Sequence, residues 1–197
     1  MGLSFHYSGS FNAEASLPEM IKEVKDLVEI FKWQYYVYEE EFPENSMGKA
    51  EYNQNIYGIS FTPPGCETVF LCFLSNGKMS SAPNLQFYGN SKNKEEAEYL
   101  YMLSTKTQYA GIETHKLVIH LLKYLNGKYL QHFRVMDEGE YWETGDEKLL
   151  EDIFKRYTFL TEGFTSSLEN YPKKDDESFE TYIERLAQQL HEKYKKD

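Results

Sequence analysis

The sequence predicts an α+β fold, with a mainly antiparallel sheet of about five to six strands, helices packed on it and a C-terminal helical pair. Three observations carry this expectation. Short aromatic and β-branched runs separated by turn residues fill the first half, and stretches with apolar residues three and four apart fill the second. A length of 197 residues suits one α+β domain over residues 1–197 with a sizeable core, 1–90 mostly sheet and 91–197 mostly helical.

Leu3 to Ser8 alternates apolar and polar positions and reads as a first strand. A helix follows, because Ser16 and Glu19 have capping-box spacing, Pro18 lies in the first turn, and Leu17, Ile21, Val24, Val28 and Phe31 share one stripe. QYYVYEEEF, Gln34 to Phe42, reads as a second strand, and the polar Pro43 to Asn55 as a loop. IYGISF and TVFLCFL read as strands joined by TPPGCE, and the Asn-Gly of SNGK turns the chain into a further strand, NLQFYG. The unbroken apolar run of TVFLCFL predicts a central strand.

Asn93 and Glu96 cap a helix expected to run to Ser104, and a second helix spans Gly111 to Leu125 with Val118, Ile119, Leu122 and Leu125 on one face. Gln131 to Asp137 is a strand. Helices are expected from Asp146 to Leu168 and from Ser178 to Tyr194, separated by Pro172 and the polar KKDDE.

Charge and composition narrow the function. A net charge of −11 disfavours contact with nucleic-acid phosphates, and no apolar run approaches a membrane span. Cys66 and Cys72 have neither zinc spacing nor a disulfide framework, and the first residues lack the basic and apolar parts of a secretory signal, so a cytoplasmic location is expected. No serine sits in a nucleophile elbow and no glycine-rich loop leads from a strand into a helix. No cofactor and no metal site are expected, since the acidic runs lack the ligand spacing of a calcium loop.

The segment DEGEYWETGDE, Asp137 to Glu147, is the strongest candidate site. Thr144 with Glu147 fits a capping box and Asp146 suits a helix first turn, which explains part of it structurally. Asp137, Glu138, Glu140, Tyr141, Trp142 and Glu143 are left over. They form either a solvated turn with Trp142 stapled to the core, or an aromatic shelf beside carboxylates suited to a cationic group. A second acidic cluster, Glu39, Glu40 and Glu41 with Glu44, follows the aromatic YYVY, and would share a sheet edge with the first if the two strands ran parallel. His115, on an apolar helical face, is either a core residue or a general base. His120 reads as solvated.

Two functional classes follow. The first is a protein-binding module docking a basic partner, in an inhibitor or immunity-type role, with carboxylates for steering and rings as anchors. The second is a small-ligand protein or enzyme with a pocket of aromatics and carboxylates built on Asp137, Glu138, Trp142 and His115. A homo-oligomer subunit that spends its exposed rings at an interface is a further alternative.

Overall fold

A computed structural model describes residues 2–174 and 176–194, and the side chains of all of these except residues 94 and 190–194. The chain forms two compact units, Met1–Glu151 and Asp152–Asp197. Among the described residues the structure is mixed α+β, with two three-stranded antiparallel sheets and seven helices.

In the first unit the order is β1 (Ser4–Phe11), α1 (Leu17–Ile30), β2 (Gln34–Val37), β3 (Tyr57–Thr62), β4 (Val69–Phe73), α2 (Ala82–Tyr88), α3 (Lys94–Tyr99), β5 (Leu103–Lys106), α4 (Ile112–Lys128), β6 (Leu130–Asp137) and α5 (Tyr141–Thr144). Helix α6 (Glu147–Asn170) starts in the first unit and runs into the second, which also holds α7 (Phe179–Tyr194). One sheet has the order β5-β1-β6 and the other β2-β3-β4.

The single sheet expected from the sequence is therefore divided. The strand predicted at NLQFYG is helix α2, because the Ser81 hydroxyl accepts from the Asn84 amide at 3.1 Å and Pro83 fits the first turn. The SNGK turn does reverse the chain, but only Lys78 and Met79 return before that cap. The stretch from Gly77 to Met79 joins the sheets: Phe11 N–H donates to Gly77 O (2.8 Å) and Met79 N–H to Gly9 O (2.9 Å).

Three other boundaries differ. β2 stops at Val37 rather than Phe42, where the acidic run leaves the sheet. The helix capped by Asn93 ends at Tyr99, and Leu103–Lys106, whose alternate residues Leu103 and Thr105 are buried, is strand β5. β4 lies at the end of its sheet, not at its centre, yet it is largely buried: its outer edge meets the Tyr7 hydroxyl, which accepts from Phe70 N–H (2.9 Å) and stands 3.1 Å from Phe70 O, and Ser80, whose N–H donates to Cys72 O (3.0 Å). Burial pushes the Tyr7 hydroxyl up from its usual titration range.

Rings fill the core of the first unit, with Phe5, Phe11, Phe61, Phe73 and Tyr129 sealed from solvent. Helix α1 covers β3 with Leu17, Met20, Ile21, Val24 and Val28, and its Ser16 cap is made as expected. Helix α4 packs against β6 and buries Val118, Ile119, Leu122, Leu125 and His115. That packing carries α4 and the end of β6 to the same place, which is where the first acidic segment begins.

In the second unit, α7 buries Tyr182 and Leu186, and the Ser178 hydroxyl accepts from Thr181 N–H at 3.1 Å. Arg185 clamps Glu177 through two hydrogen bonds of 2.8 Å. That bond to Arg185 holds the Glu177 carboxyl down at about 2. No described helix is long and apolar enough to cross a membrane.

Candidate functional site

β6 ends at Asp137, which turns its side chain inward. Its Oδ1 accepts from Gly139 N–H (2.8 Å), and its Oδ2 accepts from Tyr141 N–H (2.9 Å) and Trp142 N–H (3.0 Å). His115 Nε2 lies 3.1 Å from the same Oδ2, and His115 Nδ1 lies 2.7 Å from Thr107 Oγ1. An ionised carboxylate has only acceptors, so Nε2 carries a proton. In the neutral ring the Thr107 hydroxyl then donates to Nδ1.

This chain of hydroxyl, imidazole and carboxylate has the membership of a nucleophilic triad but not its access. The His115 and Asp137 side chains are wholly buried and Thr107 has no exposed surface, so no substrate reaches the hydroxyl. Burial raises the Asp137 carboxyl, but the His115 hydrogen bond and charge and the amides of Gly139 and Trp142 more than reverse that, and the group is held below the ordinary aspartate range. What the network does is fix the β6–α5 corner to α4. Thr107, which sequence reasoning missed, stands in no recognisable motif and is found only once the fold places it.

Gly139 lies in this corner, where a Cβ would meet Leu150 Cδ1 at 2.7 Å, His115 Nε2 at 3.0 Å and Asp137 Oδ1 at 3.1 Å. Gly139→Ala should destabilise the chain by about 1–3 kcal/mol in urea unfolding, through overpacking. A change below about 0.5 kcal/mol would mean that the corner yields.

The rest of DEGEYWETGDE is also largely spent on structure. Glu138 Oε2 accepts from Ser4 N–H at 2.7 Å, at the start of β1. Tyr141 is buried, with its hydroxyl 3.2 Å from His120 Nε2, so His120 has a protein partner as well as solvent. Trp142 is half-buried, edge-on to Phe133 with 5.8 Å between centroids, and the Lys123 ammonium stands 5.5 Å from its ring. A lysine of the chain itself thus already stands over one face of this ring.

The cap of α6 is Asp146, not Thr144. Asp146 Oδ1 accepts from Lys148 N–H (2.9 Å) and Leu149 N–H (3.1 Å), while the Thr144 hydroxyl donates to Glu140 O. The reason is spacing: Gly145 breaks the chain between α5 and α6 with a left-handed φ of 65°, which leaves Asp146 next to the first turn. Glu147 pairs with Lys116 at 3.0 Å. Within the segment, Glu140 and Glu143 are exposed and their carboxylates make no ion pair among the described residues.

The second acidic cluster differs. Glu39, Glu40, Glu41 and Glu44 are exposed, and among the described residues none of them makes an ion pair. β2 and β6 belong to different sheets, so the edge that the two clusters were expected to share is not formed. Directly before the glutamates, Tyr35 and Tyr36 lie exposed on β2, with the Tyr36 ring 4.7 Å from that of Tyr38. A shallow depression of about 330 Å³ lies on the sheet surface between Tyr36, Tyr38, Ser60, Thr62 and Phe70.

A larger open groove of about 600 Å³ runs over the β5-β1-β6 sheet between His6, Tyr99, Met102, Arg134 and Met136, and contains none of the residues singled out in the sequence. Among the described residues no group of three His, Cys, Asp or Glu could hold a metal ion. Comparison with protein-family models, curated proteins and solved structures finds no match for this chain.

Proposed function

We propose that this protein is a binding module that docks a basic segment of a partner protein on the stretch from Tyr35 to Glu44. The observation that carries the reading is that Glu39, Glu40, Glu41 and Glu44 are exposed and make no ion pair among the described residues, a short way along from the exposed rings of Tyr35 and Tyr36 at a sheet edge. Exposed acids without internal partners steer a basic surface, and Tyr35 and Tyr36 supply contact area at low conformational cost. The sealed Thr107–His115–Asp137 network supports a binding role over catalysis, since its hydroxyl has no path to a substrate.

The test uses a fluorescent oligo-arginine peptide at low and moderate salt. Replacing Glu39, Glu40, Glu41 and Glu44 by Gln should weaken binding about tenfold or more and flatten its salt dependence. A control with the same loss of charge elsewhere, Glu14, Glu95, Glu98 and Glu169 to Gln, should change it less than about threefold. Equal losses in the two variants would reduce the attraction to net charge and overturn the reading.

A further inference from the structure

We propose that β2 pairs with the β2 of a second copy of this chain, antiparallel across a twofold axis. This goes beyond the docking of a basic partner and does not rest on it, although both use Glu39 to Glu41.

β2 is an unpaired edge among the described residues, with β3 as its one strand neighbour. Tyr38 N–H donates to Gly58 O on β3 at 2.9 Å. Backbone groups alternate in direction along a strand, so Gln34 and Tyr36 also turn their amides towards β3, whereas Tyr35 and Val37 turn theirs outward. An edge of this kind is a template for another strand unless something blunts it. Neither a proline nor a bulge interrupts Gln34–Val37, and the residues around it are apolar and open: Ile30 is 76% exposed, Phe31 46% and Tyr36 62%.

The outward groups fix the register. Pairing Tyr35 with Val37 of the second copy, and Val37 with its Tyr35, satisfies both outward amides and both outward carbonyls. Tyr36 then faces Tyr36 on the axis in a position without hydrogen bonds, where Cα atoms approach to about 4.5 Å. The interface is isologous, as a twofold requires.

Charge complementarity selects a second copy as the occupant. This arrangement sets the turn that holds Lys32, just before β2 with a left-handed φ of 55°, on the side of the run Glu39 to Glu41 that follows β2 in the other copy. Lys32 is exposed and among the described residues has no ion pair, and the glutamates have none either. A strand with its cation at one end and its anions at the other complements itself only in the antiparallel sense. Parallel pairing would set the glutamates against each other.

The experiment is sedimentation of the full chain from micromolar to near-millimolar concentration, together with disulfide trapping in a Cys66→Ser background. Cys72 is sealed and its thiol is raised by burial, so it does not compete. A rise in mass from monomer to dimer is expected, with Val37→Pro raising the dissociation constant about tenfold or more, because it removes an outward N–H and leaves the β2–β3 bonds in place. Lys32→Glu should weaken the dimer and Lys32→Glu with Glu40→Lys should restore it. Tyr36→Cys should cross-link under mild oxidation, and Gln34→Cys, which cannot reach its own copy in this register, should not.

A chain that stays monomeric throughout, or equal trapping at positions 34 and 36, overturns the proposal and leaves the docking of a basic segment standing. A dimer that the oligo-arginine peptide neither binds nor dissociates would do the reverse.

Discussion

Asp137→Ala should lower the unfolding free energy by about 3–5 kcal/mol, the largest loss expected from any single acidic residue in the chain. The substitution removes a sealed carboxylate that accepts from three backbone amides, those of Gly139, Tyr141 and Trp142, and from His115 Nε2. Those donors are then left without an acceptor in a place that water does not enter. Asp137→Asn keeps the shape but turns an NH2 towards the amides, and should still cost about 2–3 kcal/mol. Glu140→Ala, three residues along and exposed, should change stability by less than about 0.5 kcal/mol. Urea unfolding of the three variants decides the matter, and a loss below about 1 kcal/mol for Asp137→Ala would show that the network is not what holds the corner.

The same residue sets a pH dependence. Burial alone would raise the Asp137 carboxyl, but His115 and the amides of Gly139 and Trp142 lower it overall, so the folded chain releases this proton more readily than the unfolded one. Its contribution is therefore complete above the ordinary aspartate range, about pH 4, and is lost as pH falls through the lower folded value. Glu23 and Glu177 are lowered as well, the first chiefly by its Lys128 hydrogen bond and the second by Arg185, so acid weakens the native chain through several groups. The part that belongs to Asp137 is the difference between the native and Asp137→Asn profiles. That difference should shrink as pH drops below about 4, and a constant gap would assign the loss to shape rather than charge.

Gly58→Ala should cost about 3 kcal/mol or more, or prevent folding. Gly58 has a φ of +116°, and a Cβ there would strike the carbonyl oxygen of Leu71 on β4 while lying 3.3 Å from Cys72 Cα. Backbone on the opposite strand cannot swing aside as a side chain can. Gly58 also accepts from Tyr38 N–H and donates to Glu39 O, so it guides the chain out of β2 into the acidic stretch. Gly127, in helix α4, has nothing within 4 Å of a built Cβ, and Gly127→Ala should raise stability by about 0.5–1 kcal/mol. Thermal unfolding of the two variants should move in opposite directions. A shared direction would contradict the packing account.

Local signals read well where a single element contains its own cause. Ser16, Pro18 and a spaced apolar stripe define α1 without help from the rest of the chain, apolar spacing alone made α4, α6 and α7 legible, and β6 was legible as a short strand ahead of the acidic segment. NLQFYG was misread because its aromatic content suits a strand, while the decisive Ser81 cap and Pro83 lie just before it. LSTK was missed, its first two residues falling in a helix expected to run to Ser104, because four residues are too few for a period to show, and its strand character comes from β1, which pairs with it.

The candidate site divides along the same line. The identity, charge and order of the two acidic segments are properties of the sequence alone, as is the tendency of one of them to cap a helix. Which acids are free is a property of the tertiary structure. Asp137 and Glu138 are drawn into the fold because β6 ends beside α4 and the start of β1, whereas Glu39 to Glu44 stay outside because β2 ends at an open edge. Asp137 also takes the local amides of Gly139, Tyr141 and Trp142, but Ser4 for Glu138 and His115 for Asp137 are distant in sequence, and only folding brings such donors within hydrogen-bond distance.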